Sequence, residues 1–162
     1  MLKIDFARLR PEAIIPSKRD EDSDYDLYAC FDGEELVIAP FSCGYVPTGI
    51  ISAFDSDVGV KFEERGSNTK WCGIVQAGVI DSGYRGEWLV AIYNGNPVPV
   101  HITKAVETVT RTDGAVLVPY GKAVCQFAVR HIPECEIREL SCEEILAIPS
   151  ARGQGKLGSS GK

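Results

Sequence analysis

Gly78-Val79-Ile80-Asp81-Ser82-Gly83-Tyr84-Arg85-Gly86-Glu87 runs directly into Trp88-Leu89-Val90-Ala91-Ile92-Tyr93-Asn94. The second half alternates, with Trp88, Val90 and Ile92 on one face and Leu89, Ala91 and Tyr93 on the other, which is the period-two signature of a half-buried strand. The small residues and glycine of 82–86 predict a bend, so the whole stretch reads as a β-hairpin. Asp81 sits on one limb and Tyr84 near the tip. A carboxylate beside an aromatic wall can orient a water while the ring packs on a flat or sugar-like ligand. Acids near bends are commonly solvated turn residues, so the weight of this pair depends on the segments around it.

Outward from this stretch, short strands and turns follow one another. Residues 2–9 alternate. Pro11 and Pro16 bracket Ile14-Ile15, and 17–24 is a charged loop. Strands are predicted over 25–30, 34–40, 44–54 with a bend at Thr48-Gly49, 58–62, 98–103, 115–120 and 121–129. A single late helix is predicted over 141–146, with Ser141 as its cap and Glu144 at the capping-box position. The absence of βαβ alternation excludes a Rossmann or P-loop architecture. The pattern is that of an all-β sandwich or jelly roll, one domain over 1–149 followed by a glycine-rich arm over 150–162.

The acidic excess, a net charge of −6, excludes a non-specific nucleic-acid binder. No apolar run is long enough to span a membrane, and the first residues lack an apolar signal core, so a cytoplasmic protein is expected. The six cysteines include no CxxC, and His101 and His131 lack ligand spacing with any of them. Reduced core cysteines are expected, and a zinc site is not.

Asp26 lies inside an apolar strand and needs a partner or a metal to offset its desolvation. Arg65, beside the amides of Gly66 and Ser67, suits phosphate oxygens. Gln126 is an amide in mid-strand, which must satisfy backbone or face a polar ligand. Arg152 and the following arm to Lys162 offer cations, hydroxyls and amides, but not the spacing or following helix of a Walker A loop. Such an arm can order itself over a polyphosphate.

These five segments occur together, in this order, in the trimeric dUTP diphosphatase (dUTPase) family, and the chain resembles it over nearly its whole length. Tyr25-Asp26-Leu27-Tyr28-Ala29 resembles the first motif and Glu64-Arg65-Gly66-Ser67 the second. Residues 78–87 resemble the third almost letter for letter, 121–126 the fourth, and 152–161 the fifth. The resemblance implies a jelly-roll homotrimer with sites at subunit interfaces, hydrolysing dUTP to dUMP and pyrophosphate with Mg²⁺. It implies Asp81 as the base for the attacking water and Tyr84 as the wall against deoxyribose. Gly78, Val79 and Ile80 would read uracil through backbone, with Gln76 nearby. Asp26 would hold Mg²⁺ through water. Arg65, Gly66, Ser67 and Gln126 would contact phosphate. Arg152, Lys156, Gly158, Ser159 and Ser160 would clamp the terminal phosphate, and Leu157 would cover the base. No partner beyond dUTP and further copies of the chain is implied, neither nucleic acid nor membrane.

Asp24, Gly66-Ser67, Gly83 and Leu157 depart from the family pattern; at Leu157 many members carry an aromatic that stacks on uracil. A dCTP deaminase shares the fold, but needs a carboxylate where this chain has Ala91. A catalytically silent nucleotide-binding module and a structural jelly-roll subunit are the other readings. Neither accounts for Asp81, Tyr84 and Arg152 together with the arm.

Overall fold

The computed structural model describes residues 2–155, and short strands make up most of its regular structure. In chain order these are β1 (Ile4–Arg8), β2 (Tyr25–Tyr28), β3 (Glu35–Ile38), β4 (Cys43–Pro47), β5 (Ile50–Phe54), β6 (Val58–Glu63), β7 (Gly73–Gln76), β8 (Val79–Ile80), β9 (Leu89–Asn94), β10 (Val100–Thr103), β11 (Thr110–Arg111), β12 (Val116–Pro119) and β13 (Ala123–His131), followed by the helix α1 (Cys142–Ala147). Four small sheets result: β1 with β5, β11-β12-β10-β3, β2-β13-β6-β8 and β4-β9-β7. Leu27, Ile38, Val46, Ile50, Val60, Ile92, Val100, Val116 and Phe127, one or more from each sheet, belong to a single buried cluster. The sheets therefore wrap one core, as the expected jelly roll requires. The parallel pairing of β10 with β12, Val100 opposite Val116, left no mark in the sequence pattern.

Trp88 is the centre of the core. It is fully buried and its ring meets Phe6 at 5.2 Å, Phe127 at 5.2 Å and Phe62 at 5.4 Å. Each such aromatic pair adds about 0.5–1.5 kcal/mol beyond the area it buries. Its indole nitrogen, which burial would otherwise leave unsatisfied, donates to Ser52 Oγ at 3.0 Å.

The hairpin expected at 78–94 does not form. β8 pairs with β6, whereas β9 lies between β4 and β7 in another sheet. The predicted apolar face of β9 holds, since Trp88, Val90 and Ile92 are all buried, although Ala91 on the other face is buried too; burial is what pulls the strand away. A strand with so apolar a face takes the middle of a sheet, while the two-residue β8 stays at an edge with Val79 67% exposed. Residues 81–88 thus cross between sheets.

The bend expected at Thr48-Gly49 separates two strands of different sheets, β4 and β5. Gly49 has φ +68°, and a Cβ there would lie 2.8 Å from both Ala13 Cβ and Cys30 Sγ. Both the backbone region and the space demand glycine.

All six cysteines are free thiols, as expected, but only Cys30 and Cys125 are core residues; Cys43, Cys72, Cys135 and Cys142 are exposed. An apolar neighbourhood in sequence does not say which face of a strand a residue takes. The capping box of α1 forms in full: Ser141 Oγ accepts from the Glu144 amide, and the Glu144 carboxylate accepts from the Ser141 amide. No residue of α1 is buried, and 131–155 is exposed throughout.

Candidate active site

Strand register builds the first half of the site. β13 lies between β2 and β6, which puts Gln126 opposite Asp26 on one side and opposite Glu63 on the other. The chain leaves β6 after Glu63 and turns back through the 3-10 turn Gly66–Lys70. Arg65 is thereby brought over Asp26, and the two form a fork: Arg65 Nε to Asp26 Oδ1 at 2.7 Å and Nη2 to Oδ2 at 3.1 Å. Bidentate, charge-assisted pairs of this kind have defined geometry as well as strength. Arg65 Nη1 also reaches Ser67 Oγ at 3.4 Å. Arg65 is therefore the partner that Asp26 needed. Gln126 Nε2 donates to the Glu64 carbonyl at 3.1 Å, which satisfies its amide from the backbone.

These residues line an open cleft of about 860 Å³. Its opposite wall is the charged loop 17–24, closed at its base by the Asp26 amide donating to the Ser17 carbonyl at 3.0 Å. The loop is held by its own charges. Lys18 Nζ donates to the Asp22 carbonyl at 2.6 Å, and Arg19 pairs with the Asp22 carboxylate at 2.9 Å. The hydrogen bond from Arg19 is the main cause that holds the Asp22 carboxyl below its ordinary range. Sequence reasoning read 17–24 as a charged loop without a part in the site; its placement immediately before Asp26 was the available signal.

Behind the fork, Cys125 is fully buried. Burial first, and the Asp26 carboxylate second, push its thiol far above the ordinary cysteine range. It stays protonated and is no nucleophile. Asn68 is a second residue that sequence reasoning missed. It is 2% exposed, and its Nδ2 donates to the Val124 carbonyl at 3.0 Å, tying the Arg65–Ser67 loop to β13. Its Oδ1 has no hydrogen-bond partner among the described residues.

The second half of the site is the turn after β8. The Tyr84 amide donates to the Asp81 carbonyl at 3.0 Å, and Arg85 Nη1 donates to the Ser82 carbonyl at 2.6 Å and the Tyr84 carbonyl at 2.9 Å. The Tyr84 hydroxyl donates to the Glu87 carbonyl at 2.9 Å, and its ring lies so close over Gly86 that any Cβ there would collide with it. Asp81 is exposed. Upstream, the Phe62 amide donates to the Gly78 carbonyl at 2.8 Å and Val60 pairs with Ile80. Antiparallel alternation then turns the Val79 N–H and C=O away from β6 toward the open edge. Gln76 ends β7, exposed, and Ala77 beside it holds a positive φ of 47°, a strained backbone of the kind found near ligand sites.

The two halves do not meet within one chain. Ile80 is level with Val60, and Arg65 lies five residues further along β6 and its extension, roughly 17 Å at strand rise. Neither Asp81 nor Tyr84 lines the cleft. Arg152 is exposed and bonds the Gly155 carbonyl at 3.2 Å. Lys156, Leu157, Gly158, Ser159 and Ser160 lie outside the described residues.

The model of the dUTPase family matches residues 10–108. The chain belongs to the dUTPase family.

It is 31% identical to the deoxyuridine 5'-triphosphate nucleotidohydrolase of Mycobacterium tuberculosis strain H37Rv over 161 residues, 96% of this chain and 93% of that protein. With the enzyme of the same name from Leptospira interrogans serovar copenhageni it shares 35% over 97 residues, 57% of this chain and 66%, about two thirds, of the relative. Among solved structures, a variant dUTPase of Staphylococcus bacteriophage 80alpha bound to dUpNHpp superposes with a TM-score of 0.75 at 18% identity, covering 98% of each chain. A variant dUTPase from phage phi11 of S. aureus, which coordinates a structural Mg(II) ion, superposes at 0.66 with 16% identity over 85% of this chain and 96% of that one. The dUTPase family is one of hydrolytic enzymes. Among the described residues no helix is long and apolar enough to cross a membrane. The family match spans β2 to β10 and so both halves of the site, but not Gln126 or the arm.

Proposed function

We propose that this chain hydrolyses dUTP to dUMP and pyrophosphate at sites shared between copies of a homotrimer in the cytoplasm. The observation that carries this is that the cation-bearing cleft and the carboxylate and tyrosine turn do not share a wall: the turn follows β8, which is level with Val60 of β6, whereas Arg65 lies beyond the other end of β6. One chain offers both halves, and a neighbouring copy brings the second half of one against the first half of the other. Two apolar surfaces support assembly. Tyr45, Leu89 and Ile74 share the outer face of the β4-β9-β7 sheet and are all exposed, and so are Ile137, at 93%, Leu146 and Ile148 near the end of the chain. Exposed apolar area of this extent favours association.

In the proposed reaction Asp81 takes a proton from water. The water oxygen bonds to the α-phosphorus, the bond from that phosphorus to the bridging oxygen breaks, and pyrophosphate leaves. Arg65 and Ser67 would hold phosphate oxygens, with Gly66 leaving their loop open, and Gln126 would bound the phosphate end of the cleft. Tyr84 would lie against the deoxyribose, with the Gly78, Val79 and Ile80 backbone and nearby Gln76 at the base. The arm over 150–162 would close on a neighbour's site, with Arg152, Lys156, Gly158, Ser159 and Ser160 at the terminal phosphate and Leu157 over the base.

Mg²⁺ fits the donor set in one way. No group of three or more His, Cys, Asp or Glu side chains among the described residues could hold a metal. A hard cation that keeps its waters and takes most of its charge from phosphate needs only one or two carboxylates, and Asp26 lines the cleft. When bound, the ion neutralises phosphate charge. Arg65, released from Asp26, would turn its fork to phosphate.

The test is pyrophosphate release with Mg²⁺ from dUTP, dCTP, dTTP and UTP, with ammonia followed in the dCTP reaction. Release from dUTP alone is expected. Ammonia from dCTP would replace this reading with deamination, and nucleotide binding without product would replace it with a silent module.

A further inference from the structure

We infer that the hydroxyl of Tyr28 is a further substrate-binding group of the cleft, donating to an oxygen of the dUTP phosphate chain, on the reading of that cleft as the phosphate end of the site.

β2 turns Leu27 into the core, where it is fully buried. Asp26 and Tyr28, one residue to either side, both face outward and line the cleft, about 7 Å apart at strand rise. The step from Leu27 to Tyr28 lies against a break in β13. Cys125 is opposite Leu27 and Ala123 opposite Tyr28, so Val124 is the extra residue of a bulge. Bulges gather beside active sites, where they re-aim side chains. At this one the Val124 carbonyl accepts from Asn68 Nδ2 at 3.0 Å, and Asn68 directly follows Ser67. Tyr28 thus stands where the sheet meets the loop that carries Arg65 and Ser67.

Its hydroxyl is uncommitted. Tyr28 is half-buried, and among the described residues its phenol makes no hydrogen bond. Buried tyrosine hydroxyls ordinarily find a partner. This one is not buried: Asn68 Oδ1 is the one buried side-chain oxygen or nitrogen without a partner among the described residues, so the phenol oxygen opens on the cleft. The stronger donors of the cleft are all engaged, Arg65 with Asp26, Arg19 with Asp22, Lys18 with the Asp22 carbonyl and Gln126 with the Glu64 carbonyl. A phosphate must draw each of these away from protein, whereas the phenol gives its proton without breaking a bond. It is also neutral, so the carboxylates that line the same cleft do not compete for it as they do for the cations. Ser17 and Ser23 carry the other uncommitted hydroxyls, but on the loop that forms the opposite wall.

The experiment compares Tyr28→Phe with the parent in the presence of Mg²⁺. The oxygen removed bonds nothing in the protein, so Tm should not change. The Kd for dUpNHpp is expected to rise about tenfold, the loss typical of a hydrogen bond to a charged group. KM for dUTP should rise with it and kcat should stay as it is, because the contact is made equally in the ground state and the transition state. The Ki of inorganic triphosphate, used as a competitor, should rise by the same factor. If Tyr28→Phe binds dUpNHpp and dUTP as the parent does, the hydroxyl takes no part and the role is overturned. A loss for dUpNHpp with none for inorganic triphosphate would give the hydroxyl to the nucleoside and overturn the phosphate contact. A parent chain that binds neither dUpNHpp nor dUTP would instead overturn the reading of the cleft itself.

Discussion

In the cleft, the fork and the amide side chains already hold on to protein: Asp26 to Arg65, Gln126 to the Glu64 carbonyl, Asn68 to Val124. At the turn after β8, Asp81 is exposed, and Tyr84 and Arg85 are held only by carbonyls of the turn itself. The difference teaches where the work of each half lies. The cleft has a charge pair that an anionic ligand and its cation can split and replace, partner for partner. The turn has a carboxylate kept available and a ring kept still. In the proposed reaction both arrangements are needed, and the strand register that separates them is what the proposal of a site shared between copies rests on.

The largest effect expected is all or none. Asp81→Asn should lose about 10²–10⁴-fold in kcat while keeping nucleotide affinity, and Arg65→Ala should be similarly poor through lost phosphate contacts. Co-refolding the two variants in equal amounts should restore about a quarter of the parent's activity, because a quarter of the shared sites draw one intact half from each of two copies. No recovery would place both halves of a working site in one chain. Next, removing residues 152–162 should cut kcat/KM about a hundredfold with the oligomer and its Tm unchanged; unchanged kinetics would make the arm a bystander. Arg65→Lys keeps the charge but loses the fork, and should raise KM for dUTP about tenfold with little change in kcat, an effect on the cleft alone.

The smallest effect concerns the thiol behind the fork. Burial raises the pKa of Cys125 in the folded state, so its contribution to stability is full below the ordinary thiol range. It declines as the pH rises through about 9, where the unfolded thiol ionises and the folded one does not. Cys125→Ala should therefore lose Tm less steeply between about pH 8 and about pH 10 than the parent does. Cys30, raised chiefly by burial in the same direction, leaves part of the slope in place. An unaltered slope would show that the thiol is not sequestered behind Asp26.

Much of this molecule was legible before folding. The alternation of Trp88, Val90 and Ile92 announced a buried face, and Ser141 with Glu144 announced a capped helix, because both patterns are local and the backbone period alone translates them into geometry. Asp26 and Gln126 were each visible as a residue in need of a partner, and Arg65 as a cation suited to phosphate. That Arg65 answers Asp26, and that Gln126 answers Glu64, was not visible, since those pairs are 39 and 62 residues apart. Loop 17–24 read only as a charged loop, and the Ser17–Asp26 bridge is what sets it beside the cleft as a wall.

By itself, then, the sequence determined the all-β class and the family to which the chain belongs. Those depend on residue type and spacing along the chain. The tertiary structure alone decided that 78–94 is a crossing between sheets and not a hairpin, and that Asp81 and Arg65 stand at opposite ends of β6. The reason is that strand partners are chosen by burial. The three-stranded sheet that buries the face of Trp88 takes β9 away from its neighbour in sequence, and everything attached to β8 and β9 is placed by that choice.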